Sequence, residues 1–414
     1  MESYRKMNNR SYTILKIKHN NINYEWCKYV CLQARYIYNV MLYEYRQNFF
    51  KTENERIDIS FKDLYQIGKA SKHWKELPAK CSSQCWMQLT NDINSYWKAI
   101  KEYNKNPEKF KKRPNIPNYN KDSGIVIFNI QTLLFSHKLP SQHCRLVRTD
   151  IVLDLSKYEG EVREVKIIPK KDYFIIKATF KQDIKEEELN ENKVASIDIG
   201  VNNLAAITTN QAEIQHILIN GRPLKSINQY YNKTKAKLQN KLPKGKYKSK
   251  RINNLTDKRN NKIDDYLHKA SRYIVNLLVE NNIGTLVIGK NRNWKQEINI
   301  GKANNQNFIM IPHARFIDLI KYKYESVGGK LILVNEAYTS KCSALDIEPI
   351  KKHDVYKGNR VKRGLFKSVN GVLINADING SLNILRKVVK KEEYSALIDS
   401  QQWAKYSPIK ISIK

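Results

Sequence analysis

Two periodicities of apolar and polar residues divide the first half of the chain into strands and helices. Residues 11–18 alternate apolar and polar side chains, which predicts a first strand. From Asn23 to Asn48, and again over 60–72 and 82–105, apolar residues recur every three or four positions, which predicts amphipathic helices. Short alternating segments return between Gly124 and Gln182. We therefore expect a β-barrel-like element that is interrupted by a helical insertion.

The second half of the chain alternates apolar strands with long helical patterns. Its first segment, VASIDIGVNNLAAITT (194–209), predicts a strand, a turn and a second strand. Alternation of strands with helices is typical of an α/β layer, so we expect one here. The further strands are predicted at 284–291 and 330–338, and the helices at 225–245, 250–280, 312–327 and 376–390.

The charge balance of the chain indicates a polyanionic partner. The 414 residues include 74 Lys and Arg against 40 Asp and Glu, a formal net charge of +34 at pH 7. A surplus of this size would make the protein repel itself unless phosphates neutralised it, so we expect it to bind nucleic acid. The 25 tyrosines are candidate stacking surfaces for bases. The alternative is a solvated, lysine-rich surface in a compositionally biased proteome.

Hydropathy excludes a membrane-spanning segment. The mean hydropathy is −0.63, and no apolar run approaches the ~18 residues that a transmembrane helix needs. No apolar core of a secretory signal is visible near the start of the sequence. We therefore expect the protein to remain in a reducing, nucleic-acid-filled compartment.

The cysteines leave two interpretations open. Cys27 and Cys31, like Cys81 and Cys85, are four residues apart and would share one face of a helix. A four-cysteine zinc site between two helices is conceivable, but structural zinc more often uses paired cysteines on turns. We therefore favour buried apolar thiols.

Two aspartates are candidates for metal chemistry. Asp198 lies within the apolar strand SIDIG, where an ionised carboxylate costs free energy unless it is paired or binds a metal. Asp377 begins the last helical pattern, ADINGSLNILRK. Brought together by a sheet, the two would form a hard-oxygen Mg²⁺ site, and two such metals can activate water and stabilise a leaving oxygen. The alternatives are a turn-capping Asp198 and a helix-capping Asp377.

These segments occur in an order that resembles one known family. SIDIGVNNLAA, DYLHKASRYIV, TLVIGKN, YTSKC and NADINGSLNILRK follow the order of the RuvC-type domain of TnpB proteins. QARYIYNVMLYEY, LPAKCSSQCWMQL and KFKKRPNIP resemble the recognition-helix region and basic linker of the same family. TnpB proteins are transposon-encoded RNA-guided nucleases related to compact type V CRISPR effectors. The resemblance extends to about residue 390.

The resemblance implies an α+β multidomain architecture. It consists of an N-terminal wedge-like β-barrel with a helical recognition insertion, followed by an α/β RNase H-like RuvC domain. We expect the barrel at 1–20 and 115–190, the insertion at 21–114, the RuvC-like domain at 191–341 and 375–390, a zinc-finger-like insertion at 342–374 and a tail at 391–414.

One departure from the family concerns the second catalytic carboxylate. The resemblance implies an acid at the end of the TLVIGKN strand, but Gly289 and Lys290 are present there. The next strand ends in LILVNEAYTSK and contains Glu336. Neighbouring strands are ~4.8 Å apart, so Glu336 could reach the same metals. Our hypothesis is a relocated triad of Asp198, Glu336 and Asp377 that binds Mg²⁺, with a solvated Glu336 as the alternative and Glu297 as a weaker candidate.

A second departure concerns zinc. Relatives carry two pairs of cysteines in the segment after YTS, whereas only Cys342 is present here. One thiol cannot hold tetrahedral zinc, and His353 would add only one ligand. We therefore expect no structural zinc in 343–374. The segment would instead be held by apolar contacts of Leu345, Ile347, Val355, Leu365 and Phe366.

The resemblance implies a function, its partners and a location in the prokaryotic cytoplasm, in association with the nucleoid. We expect an RNA-guided DNA endonuclease that uses Mg²⁺, with a guide RNA and target DNA as partners and one protein copy per guide. The alternative is a nuclease-inactive RNA-guided DNA-binding protein; a transposase acting on the element's own ends has less support. Candidate phosphate contacts lie in two basic segments: Lys109, Lys111, Lys112 and Arg113, and Lys244, Lys246, Lys248, Lys250 and Arg251.

Overall fold

The chain forms two compact units of mixed α and β structure. A computed structural model describes residues 7–57, 59–183, 187–291, 310–400 and 407–413. The units comprise Met1–Asp183 and Ile184–Lys414. Across the described ranges, no helix combines the length and the apolar character needed to cross a bilayer.

The N-terminal unit contains two open antiparallel sheets. In the four-stranded sheet, of order β1-β7-β6-β2, the first strand pairs along its whole length with β7. In the described residues neither sheet closes on itself, so the predicted barrel is wrong; the short strands β3 to β5 pair only with one another. The strands are β1 Met7–Lys18, β2 Val126–Asn129, β3 Leu133–Leu134, β4 His143–Leu146, β5 Val152–Asp154, β6 Glu161–Pro169 and β7 Tyr173–Asp183.

Helices predicted between the first two strands are confirmed. They are α1 Tyr24–Phe49, α2 Phe61–Ala70 and α3 Ala79–Lys105, and single 3₁₀ turns occur at Glu53–Glu55, Trp74–Glu76, Pro107–Lys109 and Ile130–Thr132. Apolar residues of α1 and α3 pack with the four-stranded sheet into one core. The thiols of Cys27, Cys31, Cys81 and Cys85 are buried and unbridged in this core, as favoured above. Burial raises the pKa of all four thiols.

A six-stranded sheet organises the C-terminal unit. Its order is β12-β11-β8-β9-β10-β16, in which β8, β9 and β10 run antiparallel in succession, while β11 runs parallel to both β8 and β12. The tail contributes β16, which pairs in parallel with β10, so this part of the tail belongs to the sheet. The strands are β8 Asn190–Asp198, β9 Asn203–Thr209, β10 Ile217–Asn220, β11 Ile283–Gly289, β12 Lys330–Val334 and β16 Ile409–Ile411.

Helices cover both faces of this sheet. Ile197 and Ile288 face one cluster of buried side chains, and Val194 and Val287 face another. A strand that is buried on both faces has a continuous apolar run in its sequence, and the central strands of this sheet have such runs. The helices are α4 Arg222–Gln239, α5 Lys250–Glu280, α6 His313–Glu325, α7 Ala376–Leu385 and α8 Lys391–Ser400, and α5 and α6 contribute to the first cluster, α7 and α8 to the second.

A small antiparallel sheet leads into α7. Its strands are β13 Asn359–Lys362, β14 Leu365–Lys367 and β15 Leu373–Asn375. Phe366 of the middle strand is buried against the α7 side of the large sheet. This small sheet therefore lies next to the helix that carries Asp377.

Candidate functional site

Asp198 is the last residue of β8 and faces helix α7. Side chains alternate along a strand, so Asp198 shares its face with Val194 and Ser196, which pack towards α7. Ser196 Oγ donates to the Ser381 carbonyl at 2.7 Å, and Ser381 Oγ donates to the Ser196 carbonyl at 3.1 Å. This reciprocal pair fixes the helix on the strand. A Cβ atom at Gly380 would lie only 2.5 Å from Asp198 Oδ2, so the glycine leaves room for the carboxylate.

The side chain of Glu336 extends from the end of β12 over the neighbouring strand β11 towards Asp198. The prediction that its strand lies next to TLVIGKN is confirmed, with Gly289 of β11 opposite Val334 of β12. Val334 packs on the α7 side, and Glu336, two residues further on, keeps the same parity. A Cβ atom at Gly289 would lie 2.9 Å from Glu336 Oε2 and 3.1 Å from Glu336 Cβ. The absence of a side chain at Gly289 therefore makes room for the Glu336 carboxylate.

Asp377 lies in the first turn of α7 but does not cap it. The cap is Asn375, whose Oδ1 accepts from the backbone N–H of Asp377 at 2.9 Å and of Ile378 at 3.2 Å. Asn203, at the start of β9, donates from Nδ2 to Asp377 Oδ2 at 2.7 Å. The alternative of a helix-capping Asp377 is therefore wrong, and its carboxylate points back towards the sheet.

Asp377 and Glu336 raise the cost of ionising Asp198. Burial raises the pKa of Asp198 well above its usual range, the charges of Asp377 and Glu336 raise it further, and Arg360 opposes them. Burial also raises the pKa of Glu336 to about 7, against the opposing charge of Lys387. Within the described part of the chain, the buried Oε2 of Glu336 has no hydrogen-bond partner. Like charges in a desolvated site require a cation to offset them.

The donor set fits a hard divalent cation, although the carboxylates do not converge on one position. Among the described residues, no three His, Cys, Asp or Glu side chains are grouped closely enough to hold a single ion. All three clustered acids offer carboxylate oxygens, the ligands that Mg²⁺ prefers. The Oε2 atom of Glu336 has no hydrogen-bond partner in the described residues, so it is available to coordinate a cation. The weaker candidate Glu297 lies outside the described residues.

A cation-lined cleft beside Asp377 is a feature that the sequence reasoning missed. Its cavity of about 490 Å³ is bounded by Asp377 and by four basic side chains from three distant segments. These are Arg222 at the start of α4, Arg360 and Arg363 in the β13–β14 hairpin, and Lys410 of β16. In a chain with 74 lysines and arginines no local signal distinguishes them. Only the fold brings them to the carboxylates.

Amide side chains of α7 hold the turn that follows Glu336. Asn379 Oδ1 accepts from the N–H of Ala344 at 2.9 Å, and its Nδ2 donates to the Cys342 carbonyl at 2.9 Å. Asn383 Nδ2 donates to the carbonyls of Thr339 and Cys342, at 2.9 and 2.8 Å. The segment that carries Glu336 is thereby tied to the helix that carries Asp377.

A buried glutamate supports the 342–374 segment. Glu348, 1% exposed, accepts backbone hydrogen bonds from Ser343 at 2.8 Å and from Lys357 at 2.9 Å. This carboxylate therefore bridges two parts of the segment, around Ser343 and around Lys357. Of the apolar residues expected to hold it, Phe366 is buried, and Leu345 and Ile347 pack partly against the same core. Val355 is 87% exposed, so its predicted role is wrong.

The predicted phosphate contacts lie on the surface. In the linker, Lys109 pairs with Glu102, which partly neutralises it. The other members of that group, Lys111, Lys112 and Arg113, are exposed. The second group is exposed throughout, at Lys244, Lys246, Lys248, Lys250 and Arg251.

Together these features define a class: a strongly basic, mixed α and β protein with partly buried carboxylates beside a cation-lined cleft. Two family models match parts of this chain. OrfB_IS605, described as a probable transposase, matches residues 173–295, and the Cas12f1-like TNB domain matches residues 313–384.

Individual relatives agree with these family models. The TnpB-like protein ORF457 of Acidianus two-tailed virus is 22% identical, over 93% of this chain and 88% of that protein. The CRISPR-associated endodeoxyribonuclease Cas12f1 of Sulfoacidibacillus thermotolerans is 25% identical, over 55% of this chain and 53% of its own. The fold resembles Cas12f1 in a Cas12f1–sgRNA–target DNA complex, with a TM-score of 0.57 and 15% identity over 88% and 83% of the two chains. These matches support the resemblance to TnpB proteins that the sequence indicated.

Proposed function

We propose that this chain is an RNA-guided DNA endonuclease of the TnpB type that hydrolyses phosphodiester bonds with Mg²⁺. The observation that carries the proposal is the Glu336 carboxylate, which lies against Gly289 and raises the pKa of Asp198. Its buried Oε2 atom has no protein partner in the described residues. A protein gains nothing in stability from such a group, so its position is best explained by binding a metal.

The sheet of the C-terminal unit supports a RuvC-like assignment. We assign 191–341 and 375–390 to an RNase H-like nuclease domain, with 342–374 as its nucleic-acid-binding insertion. Asp198 and Glu336 come from the ends of β8 and of the strand two places away, and Asp377 comes from a helix packed on the same face. Three acids from three elements on one sheet face are suited to holding metal ions between them. The helical segment 21–114 we assign to target recognition.

Guide RNA and target DNA are the partners that we propose. Cas12f1 relatives are described as an endodeoxyribonuclease and as a complex with sgRNA and target DNA. The net charge of +34 supports the same partners for this chain. The basic groups around Lys111 and Lys246 are exposed and suited to contact phosphates.

The residues of the site suggest how each contributes to hydrolysis. Divalent cations, when bound, would activate water and stabilise the leaving oxygen of the phosphodiester. Asp198, Glu336 and Asp377 would hold these cations, and Asn203 keeps the Asp377 carboxylate oriented through its hydrogen bond. Arg360, whose charge already acts on Asp198, would draw the scissile phosphate into the cleft.

Plasmid cleavage by the protein purified with its native RNA tests this proposal. Wild type is compared, with Mg²⁺ or with EDTA, to Asp198→Asn, Glu336→Gln and the exposed control Glu280→Gln. We expect Mg²⁺-dependent cleavage that falls at least a hundredfold in the first two variants and is unchanged in the control. Guided DNA binding, measured in EDTA, should be retained in all of them. Cleavage that survives Glu336→Gln would refute the relocated carboxylate.

One observation favours a second candidate function. In the described residues the acids are not grouped tightly enough to hold one ion. A protein that only binds DNA under RNA guidance does not need to hold a metal ion there. The same experiment separates the two. Tight, guide-dependent binding without any cleavage by wild type would establish the binding protein and exclude the nuclease.

A further inference from the structure

A groove between helices α4 and α5 combines aromatic and basic side chains away from the carboxylates. It has a volume of about 670 Å³. We call it the α4–α5 groove and define it by Tyr230, Tyr231, Arg251, Lys258, Arg259 and Lys262. Its size is within the range of pockets that hold one small molecule, roughly 300–1,000 Å³. It therefore accommodates single nucleotides rather than a duplex.

Three cations form one stripe along α5. At 100° per residue, Arg251, Lys258 and Lys262 lie within about 40° of one another around the helix axis. Their axial separations are about 10 Å and 6 Å. All three side chains are exposed, and in the described part of the chain none forms an ion pair with a carboxylate. The stripe therefore carries net positive charge that faces the groove.

Among the described residues, no carboxylate of α5 lines the groove. By the same helical geometry, Asp257 and Asp264 lie about 100° and 120° around the helix from Lys258. Asp264 is bound by Arg315, with Nε 2.7 Å from Oδ1, and Asp265, which lies in line with Lys258, is bound by Lys269 at 2.9 Å. The cations of the groove are thus available to an external anion.

The tyrosines of the groove have different roles. Tyr231 is 9% exposed and fixed, with its hydroxyl 3.1 Å from Thr256 Oγ1. Arg259 is fixed too, since Nε donates to Asn228 at 2.8 Å and Nη2 to the Met310 carbonyl at 2.6 Å. These residues form a rigid floor. Tyr230 is 68% exposed and presents its ring to solvent beside that floor, as a base-stacking surface does.

We propose that the α4–α5 groove binds a single-stranded nucleic-acid segment, with a base on Tyr230 and phosphates on Lys258 and Lys262. An exposed ring next to a row of cations matches an unpaired strand, whereas an acidic peptide would need the cations alone. This inference rests on the proposed function only in that the chain acts on nucleic acid. The strand is a segment of either RNA or DNA, and the two share this chemistry.

Binding of short oligouridine and oligothymidine to the full chain, by fluorescence anisotropy in EDTA over a range of salt, tests the inference. Tyr230→Ala should weaken binding roughly 5- to 100-fold, and Tyr230→Phe, which keeps the ring, should bind like wild type. Lys258→Gln/Lys262→Gln should reduce the slope of log K against log salt by about 1.4, or 0.7 for each lost contact. The control Lys390→Gln/Lys391→Gln removes the same charge from two exposed lysines at the start of α8, outside the groove.

The outcomes distinguish RNA from DNA, and nucleic acid from an acidic peptide. A larger loss on oligouridine than on oligothymidine assigns the groove to RNA, and the reverse assigns it to DNA. Variants that bind like the Lys390→Gln/Lys391→Gln control overturn the inference. Binding of polyglutamate that equals binding of the oligonucleotides and does not change in Tyr230→Ala also overturns it. EDTA removes the metal ions that the carboxylates would hold, so this binding test does not depend on them. The test therefore stays valid even if the chain has no nuclease activity.

Discussion

Replacing Glu336 with glutamine is expected to stabilise the metal-free protein at alkaline pH, although the residue is proposed to act in catalysis. Burial raises its pKa from an ordinary 4.5 to about 7. At about 1.4 kcal/mol for each pKa unit, the ionised carboxylate costs roughly 3 kcal/mol of folding free energy. Glutamine keeps the shape without the charge, but leaves a buried amide unsatisfied at roughly 1 kcal/mol or more. The net gain should be about 1–2 kcal/mol.

The sign of the pH dependence follows from the raised pKa. Below pH 4.5 Glu336 is protonated in both folded and unfolded states and costs nothing; the cost grows between 4.5 and about 7 and is complete above that. The advantage of Glu336→Gln should therefore appear as pH rises through this window.

Urea denaturation in EDTA, at about pH 5 and about pH 8, measures this advantage against the exposed control Glu280→Gln. Added Mg²⁺ should stabilise wild type more than Glu336→Gln, because only wild type keeps the complete ligand set. An equal or lower urea midpoint for Glu336→Gln at about pH 8 would refute the reasoning, as would a difference that does not change with pH.

The remaining predictions concern packing around the site. Gly289→Ala would place a Cβ 2.5 Å from Ile384 Cδ1 and 2.9 Å from Glu336 Oε2. It should cost about 1–3 kcal/mol in urea denaturation and reduce cleavage at least tenfold, whereas unchanged activity would show that Glu336 needs no such space. Glu348→Gln replaces a charged acceptor of two backbone amides and should cost roughly 1–3 kcal/mol. Hydrogen exchange should then rise within 342–374, and unaltered exchange there would contradict a bridging role.

The order of elements could be predicted from the sequence, whereas their pairing in the first half could not. Helix periodicity predicted α1, α2 and α3 because each buries one continuous apolar stripe. Alternation in short strands fixes which face is buried but not which strand is the neighbour. For this reason the expected barrel is wrong, since β3 to β5 pair with one another instead of closing the sheet of β1.

The candidate site was predictable to the extent that its residues break a local pattern. Asp198 stands out because it is a carboxylate in an apolar strand, and Glu336 because it follows a strand next to a missing acid. Arg360 and Lys410 carry no such signal in a Lys-rich chain, and they reach the cleft only through pairing in the β13–β14 hairpin and of β16 with β10. Cations of this kind become visible only once the fold is known.

Gly289 and Glu336 are best understood as one arrangement. Gly289 pairs with Val334, so a carboxylate two residues beyond Val334 must pass over Gly289 to approach Asp198. Glycine alone would leave the site without an acid there, and a larger residue at position 289 would force the Glu336 carboxylate and the Ile384 side chain to shift. Each position therefore has value only in the presence of the other. Residues that share one space in this way couple energetically, so substitutions at the two positions should be strongly non-additive in both stability and cleavage.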